Sequence, residues 1–273
     1  MILKKLLLIL VPLLLLISCN EEKERDTDLK SWIPKNSAYI LKSNDLNSFL
    51  TKIDSLSFLK DNPHLVSTAI KTQLKSLSGF FKGPAIVSFS TDSAGIFHYT
   101  FLAQGKQDTI QIDTIKNKSI ETFKYEDFDI TKYTLEDISF FTSFNNEILI
   151  ASNSRINLEK ILTEEENNDN AILNQVLNAA DPSKTSLLIN HKLVDKNIED
   201  SFSNFLLPIQ NIASWSVVDI DLEGENIFLN GISTWKESEI SILSNFKEVT
   251  SQPNLLATVT PSQCSWILFF YLQ

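Results

Sequence analysis

Three stretches decide the fold: residues 38–46 read AYILKSNDL, residues 148–156 ILIASNSRI, and residues 186–194 SLLINHKLV. Each begins as a short apolar run, turns a polar corner, and resumes with apolar residues at helical spacing. In the first, Asn44 and Asp45 offer an N-cap, after which Leu46, Phe49, Leu50 and Ile53 fall at i, i+3, i+4 and i+7. In the second, the strand runs through Asn153 into a capped helix carrying Ile156, Leu158, Ile161 and Leu162. In the third, Thr185 to Asn190 feeds a helix with Leu193, Val194, Ile198, Phe202, Phe205 and Leu206 on one side. Such corners are too common to define an internal repeat. They do favour an α+β fold over an all-β sandwich: a mixed, mostly antiparallel sheet with amphipathic helices packed on one face.

The intervening sequence supplies the remaining elements. A helix opens at Asn62-Pro63 with proline at its first position, carries Leu65, Val66, Ala69, Ile70, Leu74 and Leu77 as a stripe, and stops at Gly79. Pro84 to Ser90 and Ile96 to Ala103 read as a hairpin around residues 91–95, TDSAG. Thr109 to Phe144 alternates and is rich in Thr, Ile, Phe and Tyr, as in two or three strands with an exposed face. Ala171 to Ala180 is a short helix stopped by Asp181-Pro182. The clearest hairpin is residues 214–231, SWSVVDIDLEGENIFLNG, turning at Glu223-Gly224-Glu225-Asn226. Phe80-Phe81 and Phe140-Phe141 point in opposite directions if on strands, which predicts one ring of each pair at a pocket or an interface.

The N-terminus is an address. Lys4 and Lys5 form a positive region and Leu6 to Ile17 an apolar one, too short to span a bilayer as a helix, which needs roughly 20 residues. Leu16-Ile17-Ser18-Cys19 resembles the lipobox of bacterial lipoproteins. That resemblance implies cleavage of residues 1–18 as a signal peptide and acylation of Cys19, with palmitate among the chains. Several acyl chains, each contributing about 0.8 kcal/mol per buried methylene, anchor stably. Residues 19–30 read as a flexible acidic tether. Glu21 and Glu22 resemble the acidic export signal of Bacteroidota surface lipoproteins, but a solvated linker is the favoured reading of them. Asn20 is not the Asp associated with inner-membrane retention, so the outer membrane is expected, on its periplasmic or cell-surface face.

Composition narrows the function. Losing residues 1–18, which hold Lys4 and Lys5, takes the formal charge from −10 to −12. A chain so acidic has no footprint for nucleic acid and gains nothing from anionic headgroups, so the membrane is met through the lipid on Cys19. With Cys19 acylated, Cys264 is the remaining thiol of two and no internal disulfide forms. No G-x-S-x-G, Walker, G-x-G-x-x-G or H-E-x-x-H motif occurs, and His64, His98 and His191 lack metal-ligand spacing. Asp219, Asp221, Glu223 and Gly224 imitate the opening of an EF-hand loop, but Asn230 stands where a bidentate carboxylate is needed. Asp127 with Asp129, and Glu164 to Glu166, read as solvated surface charge. No catalytic, cofactor-binding or metal residue is assigned, and no cofactor is expected.

Residues 32–46, WIPKNSAYILKSNDL, following a lipidated tether, resemble the opening of Bacteroidota (flavobacterial) envelope lipoproteins defined by domain of unknown function 3352. Residues 215–231 resemble a later hairpin of that family, and the likeness spans about residues 32–235. It implies an envelope location, transfers no catalytic or binding residue, and carries a contrast, since family members are much longer. The leading expectation is a non-enzymatic binding or assembly module with an envelope protein partner; the alternative is an envelope hydrolase with a dispersed carboxylate or Ser site. Residues 31–250 form the globular domain. At 251–273 a linker precedes the start of a second, truncated unit, since Pro261-Ser-Gln-Cys-Ser-Trp-Ile-Leu parallels Pro34-Lys-Asn-Ser-Ala-Tyr-Ile-Leu. A final strand completing the first sheet is the other reading of Trp266 to Leu272.

Overall fold

The computed structural model describes residues 28–61, 68–81, 83–92, 96–105, 110, 118–135, 138–163, 171–194 and 212–235. Ten strands form one sheet: β1 (Tyr39–Ser43), β2 (Ala85–Thr91), β3 (Phe97–Gln104), β4 (Lys118–Tyr125), β5 (Phe128–Leu135), β6 (Ile138–Asn145), β7 (Ile148–Ser152), β8 (Thr185–Asn190), β9 (Trp215–Glu223) and β10 (Asn226–Thr234). The order across it is β10-β9-β8-β1-β2-β3-β7-β6-β5-β4, every neighbouring pair antiparallel. Five helices accompany it among the described residues: α1 (Leu46–Ser55), α2 (Ser57–Asp61), α3 (Thr68–Phe80), α4 (Arg155–Thr163) and α5 (Ala171–Ala179). The class is therefore α+β.

The expectation that the helices share one face is corrected by the core. Its buried residues divide by side-chain parity into two clusters on opposite faces of the sheet. On one face Ile86, Leu102 and Ile150 lie in register, packed with Leu158, Ile161 and Leu162 of α4, Val176 and Leu177 of α5, and Trp32 of a 3-10 turn (Leu29–Trp32). On the other, Val87, Phe101 and Ala151 lie in register, packed with Leu46 and Leu50 of α1 and Leu74 and Leu77 of α3. The physical reason is visible in β7, where all five residues are buried, so each face needs its own cover. At about 1.5–3 kcal/mol for each large side chain removed from water, both layers are required. The adjacent aromatics belong to these cores: Phe140 is buried on the α1 face, Phe141 packs against the other cluster, and Phe81 with Phe80 caps the end of α3.

The three corners hold through side-chain hydrogen bonds. Asp45 caps α1, its Oδ1 accepting from the Ser48 amide at 2.9 Å. At the second corner Ser152 Oγ donates to the Tyr99 carbonyl at 2.7 Å, and the Asn157 side-chain amide reaches Thr100 Oγ1 and Ser152 Oγ at 3.1 and 3.2 Å. Asn157 thus faces inward, whereas Ile156, expected in the apolar stripe, is 78% exposed. The third corner turns at residues 191–193; the helix expected beyond Val194 lies outside the described residues.

Leu29, expected in the tether, is buried in the core, because Asp28 caps the 3-10 turn and folds it in. Residues 1–27 and 236–273 lie outside the described residues, and with them the signal segment, Cys19, most of the tether, the linker and the second-unit motif. No described helix is long and apolar enough to cross a membrane.

Candidate functional site

The β9–β10 hairpin departs from the rest of the sheet. Eight of the nine residues of β10 are exposed, and its outer edge meets no strand among the described residues. Ile227, Phe228, Leu229 and Ile232 are 42, 53, 65 and 52% exposed, and the strand NIFLNGIST holds no charged residue. Apolar side chains therefore stand on both faces of an open edge, where natural sheets place charge or proline.

The opposite edge shows that precaution. β4 carries Lys118, Glu121 and Lys124; Lys124 pairs with Asp129 at 2.9 Å, and the Arg155 guanidinium lies 4.8 Å from the Phe123 ring centre. Hence the nakedness of β10 is particular to that edge.

The hairpin is rigidly positioned. Gly224 occupies the first loop position with φ of 60°, as a two-residue hairpin loop led by glycine favours. Glu225 at the tip accepts from the Ser57 amide and hydroxyl at 2.8 and 2.7 Å, tying the hairpin to the start of α2 and holding its carboxyl below the usual range. Phe58, next along α2, is 55% exposed beside this tie. Behind the edge, Gly231 leaves no room for a side chain, because a Cβ there would stand 2.0 Å from the Val217 carbonyl oxygen.

Between α1 and the hairpin lies a cleft of about 190 Å³. Phe49, Ile220 and Leu222 give it apolar wall; Ser43, Asn44, Ser48 and Thr185 give it hydrogen-bonding groups. Its charges are balanced, Lys52 and Lys184 against Asp45 and Asp221. Most of these polar groups are already engaged: Asp45 caps α1, Asn44 donates to the Pro182 carbonyl, Ser43 and Thr185 share a hydroxyl bond at 2.8 Å, and Lys184 pairs with Asp221 at 3.0 Å, which raises the lysine's pKa. Its serine, threonine and asparagine side chains offer hydrogen bonds to a small polar group.

The residues singled out by sequence are dispersed. Asp219 accepts from Ser186 Oγ at 2.5 Å and from the Asp181 amide at 3.2 Å, so Asp219 and Asp221 secure the segment entering β8. His98 contacts Asp92 at 3.1 Å in the β2–β3 hairpin, and His191 reaches Ser216 Oγ at 2.7 Å beneath β9. Asp127 and Asp129 are exposed, as expected of surface charge. Cys19, His64, Glu164 to Glu166 and Cys264 lie outside the described residues. No group of three or more His, Cys, Asp or Glu suited to a metal ion occurs among the described residues.

Sequence reasoning missed the open edge and the cleft. The signal for the edge was the consecutive apolar triplet Ile227-Phe228-Leu229 in a strand without charge, where a one-sided strand would alternate.

No family model matches the chain, and no curated protein matches it. Among solved structures, crystal form I of TP0453 is similar at a TM-score of 0.43 and 10% identity, over 81% of this chain and 84% of that one. A likeness at that level carries no argument about fold or function.

Proposed function

We propose that the chain is a lipid-anchored outer-membrane protein, held through acylated Cys19, whose domain is a non-enzymatic assembly module that takes a partner strand along β10. The observation that carries the reading is the uncharged edge of β10, with four large apolar side chains exposed beside an otherwise guarded sheet. Strand addition suits such an edge, since main-chain hydrogen bonds supply affinity and alternate side chains supply selectivity. The lipobox-like LISC supports the anchor, and the likeness of residues 32–46 and 215–231 to Bacteroidota envelope lipoproteins supports the location.

Two measurements test it together. A clickable fatty acid should label the wild type and miss Cys19→Ala, which should leave the membrane fraction or remain unprocessed. A photo-crosslinking residue at Leu229 should give one discrete adduct in intact cells, and a probe at exposed Lys118 on the far edge should give none. Equal labelling of wild type and variant would refute the anchor; absence of any adduct at Leu229 would refute the module.

A further inference from the structure

We infer that the strand occupying β10 is β10 of a second copy of this chain, paired antiparallel about a twofold axis at Asn230. This inference rests on the assembly reading above and names its partner.

Placing the axis at Asn230 sets Phe228 opposite Ile232 of the other copy, twice over on one face, in an apolar cluster of four side chains. On the other face Leu229 meets Gly231. The most exposed apolar side chain of β10 thus lies over the one position in the strand that the Val217 carbonyl keeps without a side chain. Large meets small, as cross-strand packing favours. Each copy uses the same surface, the condition of an isologous interface.

Charge selects the direction. A parallel pair would stack the hairpin tips, with Glu223 and Glu225 against their own copies. The antiparallel pair sends the two tips to opposite ends of the nine-residue strand, roughly 30 Å apart at about 3.3 Å per residue. No charged side chain of β10 is buried by the contact, because β10 has none.

The area suffices. At the exposures given, the four side chains present roughly 400 Å² per copy, taking about 200 Å² for each fully open side chain. With the outer backbone of both strands the pair buries on the order of 1,000 Å², where specific interfaces begin. The acidity of the chain opposes association, so dimerisation strengthens as salt screens it.

The test is disulfide trapping in membranes of cells expressing the full chain, in a Cys264→Ser background, with Cys19 retained for its lipid. Asn230→Cys lies on the axis and should form a covalent homodimer under mild oxidation. Ile227→Cys, opposite Ser233 of the other copy, should form none. Adding Leu229→Glu to Asn230→Cys should lower the trapped fraction at least tenfold while far-UV circular dichroism shows the chain still folded, because Leu229 is 65% exposed in the single copy. Trapping of Ile227→Cys as readily as Asn230→Cys would overturn the register. No trapping, with Leu229 crosslinking to another protein, would overturn the second copy and leave the assembly module standing. No trapping, with the adduct falling within the chain's own residues 236–273, would overturn both.

Discussion

Replacing Gly231 by alanine sets a methyl carbon 2.0 Å from the Val217 carbonyl oxygen and 3.0 Å from the Val217 carbonyl carbon and the Val218 Cα. A carbon and an oxygen in contact sit about 3.3 Å or more apart even where weak C–H···O bonding draws them together. The strands must therefore part by more than 1 Å, and the obstacle is backbone, which no rotamer change relieves. Overpacking of this kind costs about 1–3 kcal/mol, and each ladder hydrogen bond lost nearby adds about 1 kcal/mol. A loss of about 2–4 kcal/mol follows, a large share of the 5–15 kcal/mol typical of a domain. Because β10 is an edge strand, the loss should fall first on the hairpin. Amide exchange at β9 and β10 should accelerate by about two orders of magnitude while β3 and β7 remain protected, and urea unfolding should shift to lower midpoint. Asn230→Ala, exposed in the same strand, is the control and should stay within about 0.5 kcal/mol of wild type. Indistinguishable exchange and midpoint for Gly231→Ala and wild type would refute the close approach of the two strands.

The other predictions are simpler. Tyr99 is fully buried, and its hydroxyl has no hydrogen-bond partner among the described residues, so burial pushes its pKa far up; Tyr99→Phe should stabilise by about 1 kcal/mol in chemical unfolding, and destabilisation would reveal a hidden partner. Asp54 is held below the usual carboxylate range first by its hydrogen bond to Lys71, at 2.8 Å, then by Lys75, which ties α1 to α3. Its folded pKa lies below the unfolded value, so its stabilisation is present above about pH 4 and fades as pH falls through the folded value. Asp54→Asn should therefore lose up to about 1 kcal/mol at pH 7 and progressively less as pH falls below about 4; a loss independent of pH would count against the ion pair. Glu126 takes φ of 51° in the β4–β5 loop, a conformation costing a side chain about 1 kcal/mol. Glu126→Gly should raise the melting temperature, and a fall would show that the carboxylate matters more than the backbone.

Local chemistry was legible in the chain and global arrangement was not. Asp45 as a cap, the hairpins β2–β3 and β9–β10, and the two corners after β1 and β7 follow from short-range pattern, because caps and turns are made by neighbours. The two-sided cover could have been inferred from Ile148-Leu149-Ile150-Ala151, since four apolar residues in a row leave no face for water. The strand order could not: β7 and β8 are joined through α4 and α5, yet β3, β2 and β1 lie between them in the sheet. No local signal encodes a crossover of three strands. Ile156 was misplaced because the helical stripe was counted from apolar residues alone, while the inward position went to Asn157, whose amide bridges Thr100 and Ser152. As for the site, the cleft draws on β1, α1, β8 and β9 together, so only the fold assembles it.

The sheet order also sets a timetable. β1 pairs with β8 although roughly 140 residues separate them in the chain, and β3 pairs with β7 across the whole β4–β6 meander. Contacts between such distant segments slow folding, because loop closure must precede the gain they bring. The N-terminal half, emerging first, has β1 with one flank open until β8 arrives. A chain built this way completes its sheet only after β8 and β9 have been made. The central position of β1, rather than any weakness of the core, ties the closing of the sheet to the arrival of its last strands.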